Sequence, residues 1–330
     1  MDLVALVKDP DHVCCRYRLE AFRASLARAG HALSLCVLPR RWWGRLSLYA
    51  SLRGKNVIIQ RQLLAGWELG ILRRQARRLI YDFDDAVFLR DSYSRKNLHH
   101  PRRLRRFAAT VAACDAVVAG NNFLAEQAGR WCPPGRIRVI PTCVDPSRYR
   151  TRAMEPTGDG KELVWIGSSS TLQGLEQAAP MLESLGREVP GLRLRVICDR
   201  FPRFEHLEVI RCPWSAAREA DDLAGGDIGI SWIPDDLWSR GKCGLKVLQF
   251  MAAGLPVIAN PVGVHPEMIR HGETGYLAAT FEEWRGAVVR LSRDAALRRG
   301  MGEAGRRRPE GQYFVPVGGQ AWIDLLDTLA

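Results

Sequence analysis

Short runs of apolar residues alternate with segments of helical periodicity along most of the chain. Uninterrupted apolar runs are typical of parallel strands that are buried on both faces. Their alternation with helical segments predicts an α/β fold with parallel sheets. In the first half the predicted strands are Leu3–Val7, Ala32–Val37, Asn56–Gln60, Leu79–Asp82, Ala116–Ala119 and Ile137–Ile140, and the predicted helices include Tyr17–Ala29, Arg102–Ala113 and Asn122–Arg130.

The pattern is interrupted at Arg152–Lys161, where proline and glycine predict a linker over residues 153–160. The alternation then resumes, which predicts two doubly wound, Rossmann-like domains, 1–152 and 161–315, facing each other across a cleft. Residues 316–330 are expected to form a helix that crosses back to the first domain. The predicted strands of the second half are Leu163–Ile166, Leu192–Cys198, Leu207–Arg211, Ile228–Ser231 and Pro256–Ala259, and its predicted helices include Leu172–Gly186, Ala216–Ala224 and Leu245–Ala253.

Composition adds a strong positive charge to this picture. The 330 residues carry a net charge of +12, and only six of the 48 basic residues are lysines. The arginine excess reflects either codon bias or an anionic partner: a phosphorylated substrate, an anionic lipid surface or nucleic acid. The nine cysteines form no C-x-x-C pair, which argues against disulfides and structural zinc and favours a cytoplasmic location. No apolar run is long enough to span a bilayer, and the N-terminus is interpreted as a first strand, not a signal peptide.

The segment Arg240–Asn260 carries the clearest chemical pattern. A glycine- and cysteine-containing turn opens a predicted helix that ends at Gly254, before Pro256. The unpaired N–H groups and the dipole of such a helix start favour an anion. Lys242 and Lys246, predicted to lie one turn apart on the same side, add positive charge. The alternative is an ordinary loop–helix–strand crossover with two solvated lysines.

The segments Gly244–Gly263 and Glu267–Leu277 closely resemble the donor-binding stretch of family 4 glycosyltransferases. The resemblance implies the GT-B architecture, with an N-terminal acceptor-side domain and a C-terminal domain that binds a nucleoside-diphosphate sugar. It also implies retention of anomeric configuration, no metal and no other cofactor. Shorter matches follow in the family's order at Arg16–Arg18, Ile80–Asp85, Ala119–Asn122, Val139–Asp145 and Val164–Ser168.

Two departures from the family pattern concern this donor stretch. The family usually carries two glutamates eight positions apart, where this chain has Gly241 and Gln249. Gln249 can hydrogen-bond ribose hydroxyls as a neutral group, whereas Gly241 has no side chain to do so. The family's Arg and Lys after the first strand of the second domain are replaced by Ser168–Thr171, where Ser170 and Gln173 predict a capping box. The predicted donor-binding residues are Arg16, Gly167, Ser168, Lys242, Cys243, Gly244, Leu245, Lys246 and Gln249.

Three acidic residues, Asp82, Asp84 and Asp85, lie at the carboxyl end of a predicted strand. Clustered carboxylates raise one another's pKa and suit acid/base or metal chemistry. We predict that Asp84 or Asp85 is catalytic, orienting the acceptor or contacting the donor sugar. A polar loop with an aspartate cap and a D-x-D metal site are the alternatives.

Basic and aromatic residues are mixed in Arg40–Arg53. As a helix, this segment would place Trp42, Leu46 and Tyr49 on one broad face, a pattern that occurs in interfacial helices with basic flanks. Arg40, Arg41, Trp42 and Trp43 are therefore predicted to contact an anionic membrane surface or a lipid-linked acceptor. An ordinary core-facing helix is the alternative. No nucleic-acid partner is predicted, because no zinc finger, RNP-like strand or helix-turn-helix pattern occurs.

The sequence thus predicts a glycosyltransferase that moves a sugar from a nucleoside-diphosphate sugar to a glycan or lipid-linked acceptor, in cell-envelope polysaccharide biosynthesis. The expected location is the cytoplasm, at the inner face of the plasma membrane. The changes at Gly241 and Gln249 keep a non-catalytic nucleotide-sugar or lipid-binding relative open as an alternative. A nucleotide-sugar epimerase of the same architecture is a third hypothesis.

Overall fold

The computed structural model describes residues 1–149, 161–308 and 311–330, which fold into two compact units. The first unit comprises Met1–Cys143, Asp236–Cys243 and Val315–Ala330, and the second comprises Val144–Asp235 and Gly244–Phe314. The predicted linker over residues 153–160 lies outside the described residues. The block predicted as the second domain, 161–315, is interrupted, because the short segment Asp236–Cys243 packs with the first unit.

The apolar runs of the first half form a six-stranded parallel sheet in the order β2-β1-β3-β4-β5-β6. Three of the predicted strands match the observed bounds, two differ by one residue at one end, and the strand predicted at Leu79–Asp82 is longer by one residue at each end. Burial on both faces explains this agreement, because it keeps the runs uniformly apolar. The strands are β1 (Asp2–Val7), β2 (Ala32–Val37), β3 (Asn56–Gln60), β4 (Arg78–Phe83), β5 (Ala116–Ala119) and β6 (Ile137–Val139).

Helices cover both faces of this sheet. The helices are α1 (Val13–Arg18), α2 (Arg23–Arg28), α3 (Trp42–Ser51), α4 (Gly66–Gln75), α5 (Pro101–Ala113), α6 (Asn122–Gly129) and, from the last part of the chain, α15 (Val315–Leu329). One face of the sheet packs against side chains of α3 to α6, including Tyr49, Leu72 and Phe107, and the other against α2 and α15, including Leu26 and Trp322.

The second unit holds another six-stranded parallel sheet, in the order β12-β11-β10-β7-β8-β9. Its strands are β7 (Glu162–Ile166), β8 (Arg193–Cys198), β9 (Glu208–Pro213), β10 (Ile228–Ser231), β11 (Val257–Ala259) and β12 (Gly275–Leu277). The helices of this half of the chain are α7 (Ser169–Gln177), α8 (Ala179–Glu188), α9 (Glu219–Ala224), α10 (Leu237–Arg240), α11 (Leu245–Ala252), α12 (His265–Met268), α13 (Phe281–Arg293) and α14 (Ala295–Arg307). Among them, α10 belongs to the first unit.

Three predicted helices are wrong in their extent, and one of them is Ala216–Ala224, which begins only at Glu219. The helix predicted at Tyr17–Ala29 is α1, a 3₁₀ turn and α2, and it begins earlier, at Val13, because His12 accepts the N–H of Cys14 as a cap. The helix predicted at Leu172–Gly186 is divided at Ala178 into α7 and α8. Pro180 follows this break, and its missing N–H prevents a continuous helical ladder there.

Candidate functional site

Arg61 occupies an unusual backbone conformation directly after β3. Its φ is 57°, in the left-handed region that a non-glycine residue enters at a cost on the order of 1 kcal/mol. Its N–H donates to the carbonyl of Asp82 at 2.8 Å, which holds the turn against the end of β4. The sequence prediction missed this residue, although a charged side chain directly after a buried strand was a signal for it.

The guanidinium of Arg61 contacts the two carboxylates that follow β4. Arg61 Nε lies 3.3 Å from Asp84 Oδ1, and Arg61 Nη2 donates to Asp85 Oδ2 at 2.6 Å. Burial opposes the charge of Arg61, but Asp84 and Asp85 outweigh burial and raise its pKa. The two predicted catalytic carboxylates are therefore brought together by a third residue.

Lys242 also reaches this cluster. Its Nζ lies 3.2 Å from Asp85 Oδ2 and 3.5 Å from the centroid of the Trp238 ring, a cation–π contact. The prediction that Lys242 and Lys246 stand one turn apart on a helix is wrong. Helix α11 begins at Leu245, after Lys242, and the two lysines belong to different units.

The backbone around Lys242 is fixed by Asn121 and by a close approach at Gly241. Asn121 Nδ2 donates to the carbonyls of Arg240 at 3.2 Å and Lys242 at 3.1 Å. A Cβ on Gly241 would lie 2.8 Å from both the amide nitrogen and the Cβ of Ala86. Glycine is therefore required here, which gives a physical reason why this chain lacks the family's first glutamate.

The side chain of Cys243, which we predicted to contact the donor, packs within the first unit. Cys243 is 8% exposed, and its Sγ donates to the carbonyl of Asp84 at 3.3 Å. A Cβ on Gly120 would lie 2.4 Å from this sulfur and 3.1 Å from Asp84 Cα. Burial raises the pKa of the Cys243 thiol. These contacts fix the main chain of Asp84.

The other charged residues of the sequence motifs in the first unit, Arg16, Arg18 and Asp82, make contacts within that unit. Arg18 and Asp82 form a fully buried ion pair of 2.5 Å, and Arg18 also donates to the carbonyl of Ile140. Burial raises the pKa of Asp82. Arg16 lies in the last turn of α1, not at the helix start that we predicted, with its guanidinium carbon 5.4 Å from the Tyr17 ring centroid.

The start of α11 is the predicted anion site of the second unit. Gly244 caps the helix at φ 65°, and a Cβ there would lie 2.4 Å from Met268 Sδ. Lys246, in the first turn, places Nζ 3.9 Å from the centroid of the buried Trp165 ring. Gln249 is only 3% exposed, so its side chain is less accessible to a ribose than the resemblance implies.

The turn after β7 leaves no room for a side chain at Gly167. A Cβ on Gly167 would lie 2.4 Å from the Trp165 ring. The predicted capping box of Ser170 and Gln173 is wrong, because α7 begins two residues earlier: Ser168 is the N-cap, and its N–H donates to Thr171 Oγ1 at 3.1 Å. The N–H of Ser169 donates to Asp199 Oδ1 at 2.6 Å, so a carboxylate already lies at this helix start.

His265, at the start of α12, is a buried histidine that no pattern in the sequence predicted. His265 Nδ1 lies 2.8 Å from the carbonyl oxygen of Asn260, and Nε2 lies 3.2 Å from Ser231 Oγ. The carbonyl can only accept, so Nδ1 carries the proton and Nε2 accepts from the Ser231 hydroxyl. Burial lowers the pKa of His265 to about 4.

The predicted membrane-facing helix is divided between core and surface. Tyr49 is fully buried, whereas Trp42 and Trp43 are 59% and 54% exposed, so this helix packs on the core at Tyr49 and exposes its first two residues. The two indoles meet edge to face at 5.7 Å, and Arg41 lies over the Trp43 ring at 5.2 Å. Arg40 is exposed beside them.

Four further features concern the described part of the chain. None of its helices is long and apolar enough to cross a membrane. It contains no group of three or more His, Cys, Asp or Glu side chains arranged for a metal ion. The carboxylates of the D-x-D alternative, Asp82 and Asp84, contact arginines instead. All nine cysteines are free thiols.

Comparisons with known sequences match part of the chain. Residues 230–294 match the family described as "Glycosyl transferases group 1". N-acetyl-α-D-glucosaminyl L-malate synthase of Bacillus anthracis is 40% identical over 79 residues, which are 23% of this chain and 21% of that protein. D-inositol 3-phosphate glycosyltransferase of Actinosynnema mirum is 26% identical over 222 residues, which are 57% of this chain and 51% of that protein. The chain thus matches about a fifth to a half of the length of these relatives.

Comparisons with solved structures cover nearly the whole chain. Sucrose-phosphate synthase from Thermosynechococcus elongatus has a TM-score of 0.76 at 16% identity and covers 99% of this chain and 98% of its own. Anabaena HepE, in complex with UDP and glucose, has a TM-score of 0.71 at 13% identity, covering 99% and 100%. These comparisons confirm the predicted GT-B fold.

Proposed function

We propose that this protein is a glycosyltransferase that moves a sugar from a nucleoside-diphosphate sugar to a glycan or lipid-linked acceptor. One observation carries the proposal: the glycine-capped start of α11, with Lys246 in its first turn, lies inside residues 230–294, the match to the glycosyl transferases group 1 family. Helix N–H groups and a lysine at one helix start form a site for a diphosphate. The complex of HepE with UDP supports a uridine nucleotide as the first donor to test.

In this proposal the protein accelerates transfer by stabilising the leaving group. As the bond between the sugar and the diphosphate breaks, negative charge grows on the phosphate oxygens. We propose that the N–H groups at Gly244 and Leu245 and the ammonium of Lys246 neutralise that charge. Contact with the Trp165 ring restricts the ammonium to one region, so less reorganisation is needed during the reaction. Retention and independence of metal remain part of the proposal through the family resemblance.

The other predicted donor residues take more limited roles. We assign backbone contacts to Gly167 and Ser168 and keep Arg16 as a cation of the first unit. Gln249 stays a candidate for hydrogen bonds to the ribose hydroxyls. Such a contact requires its buried amide to become accessible. Lys242 and Cys243 are assigned to the architecture around Asp84 and Asp85, because their side chains contact that pair.

Binding without transfer is the second candidate function. Position 241 has no room for a side chain, and a buried glutamine stands at position 249, so neither position carries a glutamate of the family's pair. A non-catalytic relative would bind nucleotide sugar and leave it intact.

We further propose that the first unit docks on an anionic membrane surface through Arg40, Arg41, Trp42 and Trp43. The net charge of +12 and the two exposed indoles beside arginines support this. Aromatic rings and basic side chains are the groups that favour the interface of an anionic bilayer.

Two measurements test the transferase function. Calorimetry with UDP and with other nucleoside diphosphates tests the donor site, and a ligand at 100 times its Kd adds about 2.7 kcal/mol of stability, which a thermal-shift screen detects. Release of UDP from UDP-sugars, with and without sugar acceptors, then tests turnover. Tight binding with no release would favour the binding protein. No binding of any nucleoside diphosphate would contradict both functions.

A further inference from the structure

We infer that β2, at one edge of the first sheet, pairs with β2 of a second copy of this chain. The two strands run antiparallel about a twofold axis at Leu35. The contact surface is the outer edge of β2, which is defined by Leu33, Leu35 and Val37. This edge belongs to the first unit, whereas the proposed donor site belongs to the second, so dimerisation and sugar transfer stand or fall separately.

The outer edge of β2 presents backbone groups that face no other strand. Among the described strands β2 is hydrogen-bonded only to β1, in parallel register. The N–H of Ala32 donates to the carbonyl of Met1 at 2.9 Å and therefore points towards β1. Backbone groups alternate in direction along a strand, so the N–H and C=O groups of Leu33, Leu35 and Val37 point outwards. These groups are placed to bond a further strand.

This edge lacks the features that usually keep edge strands apart. Natural edge strands are very short, or they carry charges, prolines or bulges. The edge strand β9 carries Glu208, Arg211 and Pro213, and the edge strands β6 and β12 have only three residues each. In contrast, β2 has six residues, and no Asp, Glu, Lys, Arg or Pro occurs over residues 29–38. An edge of this kind is expected to be covered by a partner.

The sequence of the edge is complementary to itself. An axis at Leu35 uses all three outward-facing residues: Leu35 faces its own counterpart, and Leu33 faces Val37. On the other side of the sheet, Ser34 faces Cys36. All these pairs are uncharged, so the strands meet without the repulsion that a net charge of +12 imposes on most contacts between two copies.

Exposure and the charges at the two ends of the strand agree with this register. Val37 is apolar but 50% exposed, and the paired strand would cover it. Arg40 lies exposed beyond the end of β2. At its start, the 66% exposed Asp327 lies 3.5 Å from His31. Antiparallel pairing brings the Arg40 end of each copy beside the Asp327 end of the other, which places opposite charges together at both ends.

The extent of the contact indicates a reversible dimer. Three facing pairs supply about six backbone hydrogen bonds, two for each pair. One strand pair is smaller than the interface of a permanent dimer, which buries about 2,000 Å² or more. We therefore expect the dimer to form as the protein concentration rises and to separate on dilution.

The first test combines sedimentation equilibrium with cross-linking of the full chain. The wild type should show twice the mass of one chain at high concentration. In a Cys36→Ser background, Leu35→Cys should form an interchain disulfide under mild oxidation, because the facing Cα atoms would be about 5.5 Å apart. Val37→Cys in the same background is the matched control. It should not cross-link, since its counterpart lies four residues further along the pair, roughly 14 Å away.

The second test exchanges charges at the twofold axis. Leu35→Lys places two like charges opposite each other and should leave the chain monomeric at concentrations where the wild type is dimeric. Leu35→Glu should do the same, and an equimolar mixture of the two variants should recover dimers. Val139→Lys is the matched control and should dimerise like the wild type, because Val139 is 41% exposed at the end of β6, on the opposite edge of the sheet. Circular dichroism shows whether each variant is folded.

Three results would overturn the inference. The first is a wild-type chain that stays monomeric at its highest soluble concentration, which would make a strand of another protein the better occupant. The second is a dimer that persists in folded Leu35→Lys and gives no disulfide in Leu35→Cys, since such a dimer uses another surface. The third is stronger cross-linking by Val37→Cys than by Leu35→Cys. If the lysine variant does not fold, the two cysteine variants still decide.

Discussion

The ammonium of Lys246 lies over the ring of Trp165, with Nζ 3.9 Å from the ring centroid. Trp165 comes from β7 and Lys246 from the first turn of α11, so the contact joins two elements at the carboxyl edge of the second sheet. The same indole also requires glycine at position 167, because a Cβ there would lie 2.4 Å from the ring. One buried aromatic residue thus shapes two parts of the proposed donor site.

Replacing Lys246 tests this site most directly. Lys246→Ala should weaken UDP binding by about 1–3 kcal/mol, the scale of a lost charged hydrogen bond, and Gln249→Ala should cost about 1 kcal/mol or less. Trp165→Phe keeps an aromatic face and should weaken binding by less than Lys246→Ala. Calorimetry measures all three, with Lys55→Ala in the first unit as the control. Unchanged binding by Lys246→Ala would remove Lys246 from the site.

A pH-dependent loss of stability is expected from His265. In the unfolded chain its pKa is near 6.5, and burial lowers it to about 4 in the fold. Between these values the unfolded state binds more protons, so this stability is present above pH 6.5 and is lost as the pH falls towards 4. The difference corresponds to roughly 3 kcal/mol.

Urea unfolding at several pH values measures this effect. His265→Gln should flatten the dependence of the unfolding free energy between pH 6.5 and 4, whereas His99→Gln, at an exposed histidine, should retain it. Identical pH profiles for wild type and His265→Gln would contradict the assignment.

The buried pair of Arg18 and Asp82 should matter for folding. Asp82→Asn leaves an uncompensated guanidinium in a fully buried position, which costs about 3–5 kcal/mol. Glu20→Gln breaks the exposed pair with Arg23 and should cost no more than about 1 kcal/mol. Chemical denaturation of both variants makes the comparison. Equal losses of unfolding free energy in the two variants would contradict the larger cost expected for the buried pair.

Restoring a side chain at position 241 should destabilise the protein. The Cβ of Gly241→Ala would meet the backbone of Ala86 at 2.8 Å, and overpacking of this kind costs about 1–3 kcal/mol. Gly241→Glu should cost more. Gly66→Ala is the control, since a Cβ there meets no atom within 4 Å. If Gly241→Glu melts like the wild type and improves donor binding, the steric explanation for the missing glutamate is wrong.

Membrane docking is tested by sedimentation with liposomes. We expect binding to vesicles rich in anionic lipid, weaker binding at high salt, and loss of binding when Trp42 and Trp43 are both replaced by alanine. Trp214→Ala, at a tryptophan of the second unit with 41% exposure, should bind like the wild type. Wild-type protein that ignores anionic vesicles at low salt would contradict the proposal and favour a soluble acceptor.

The alternation of apolar runs and helical segments predicted most strands and the fold class. It did so because strands buried on both faces must be apolar throughout, whatever their partners are. Strands such as Asn56–Gln60 and Ala116–Ala119 therefore match the structure. The pattern did not predict β12, whose three residues begin at Gly275. This strand depends on close approach to β11, where a Cβ on Gly275 would lie 2.0 Å from the carbonyl oxygen of Val257.

The sequence by itself determined which residues carry charge after the strands, including Asp84, Asp85 and Lys246, and the resemblance suggested their chemistry. Only the tertiary structure decided which of these charged side chains contact one another. Lys242 is four positions from Lys246 in the chain, yet its side chain contacts Asp85, because the segment Asp236–Cys243 packs with the first unit. Arg61 joins the cluster from another strand end. Spacing along the chain fixes neighbours within a helix, whereas ion pairs depend on which strand ends the sheet brings together.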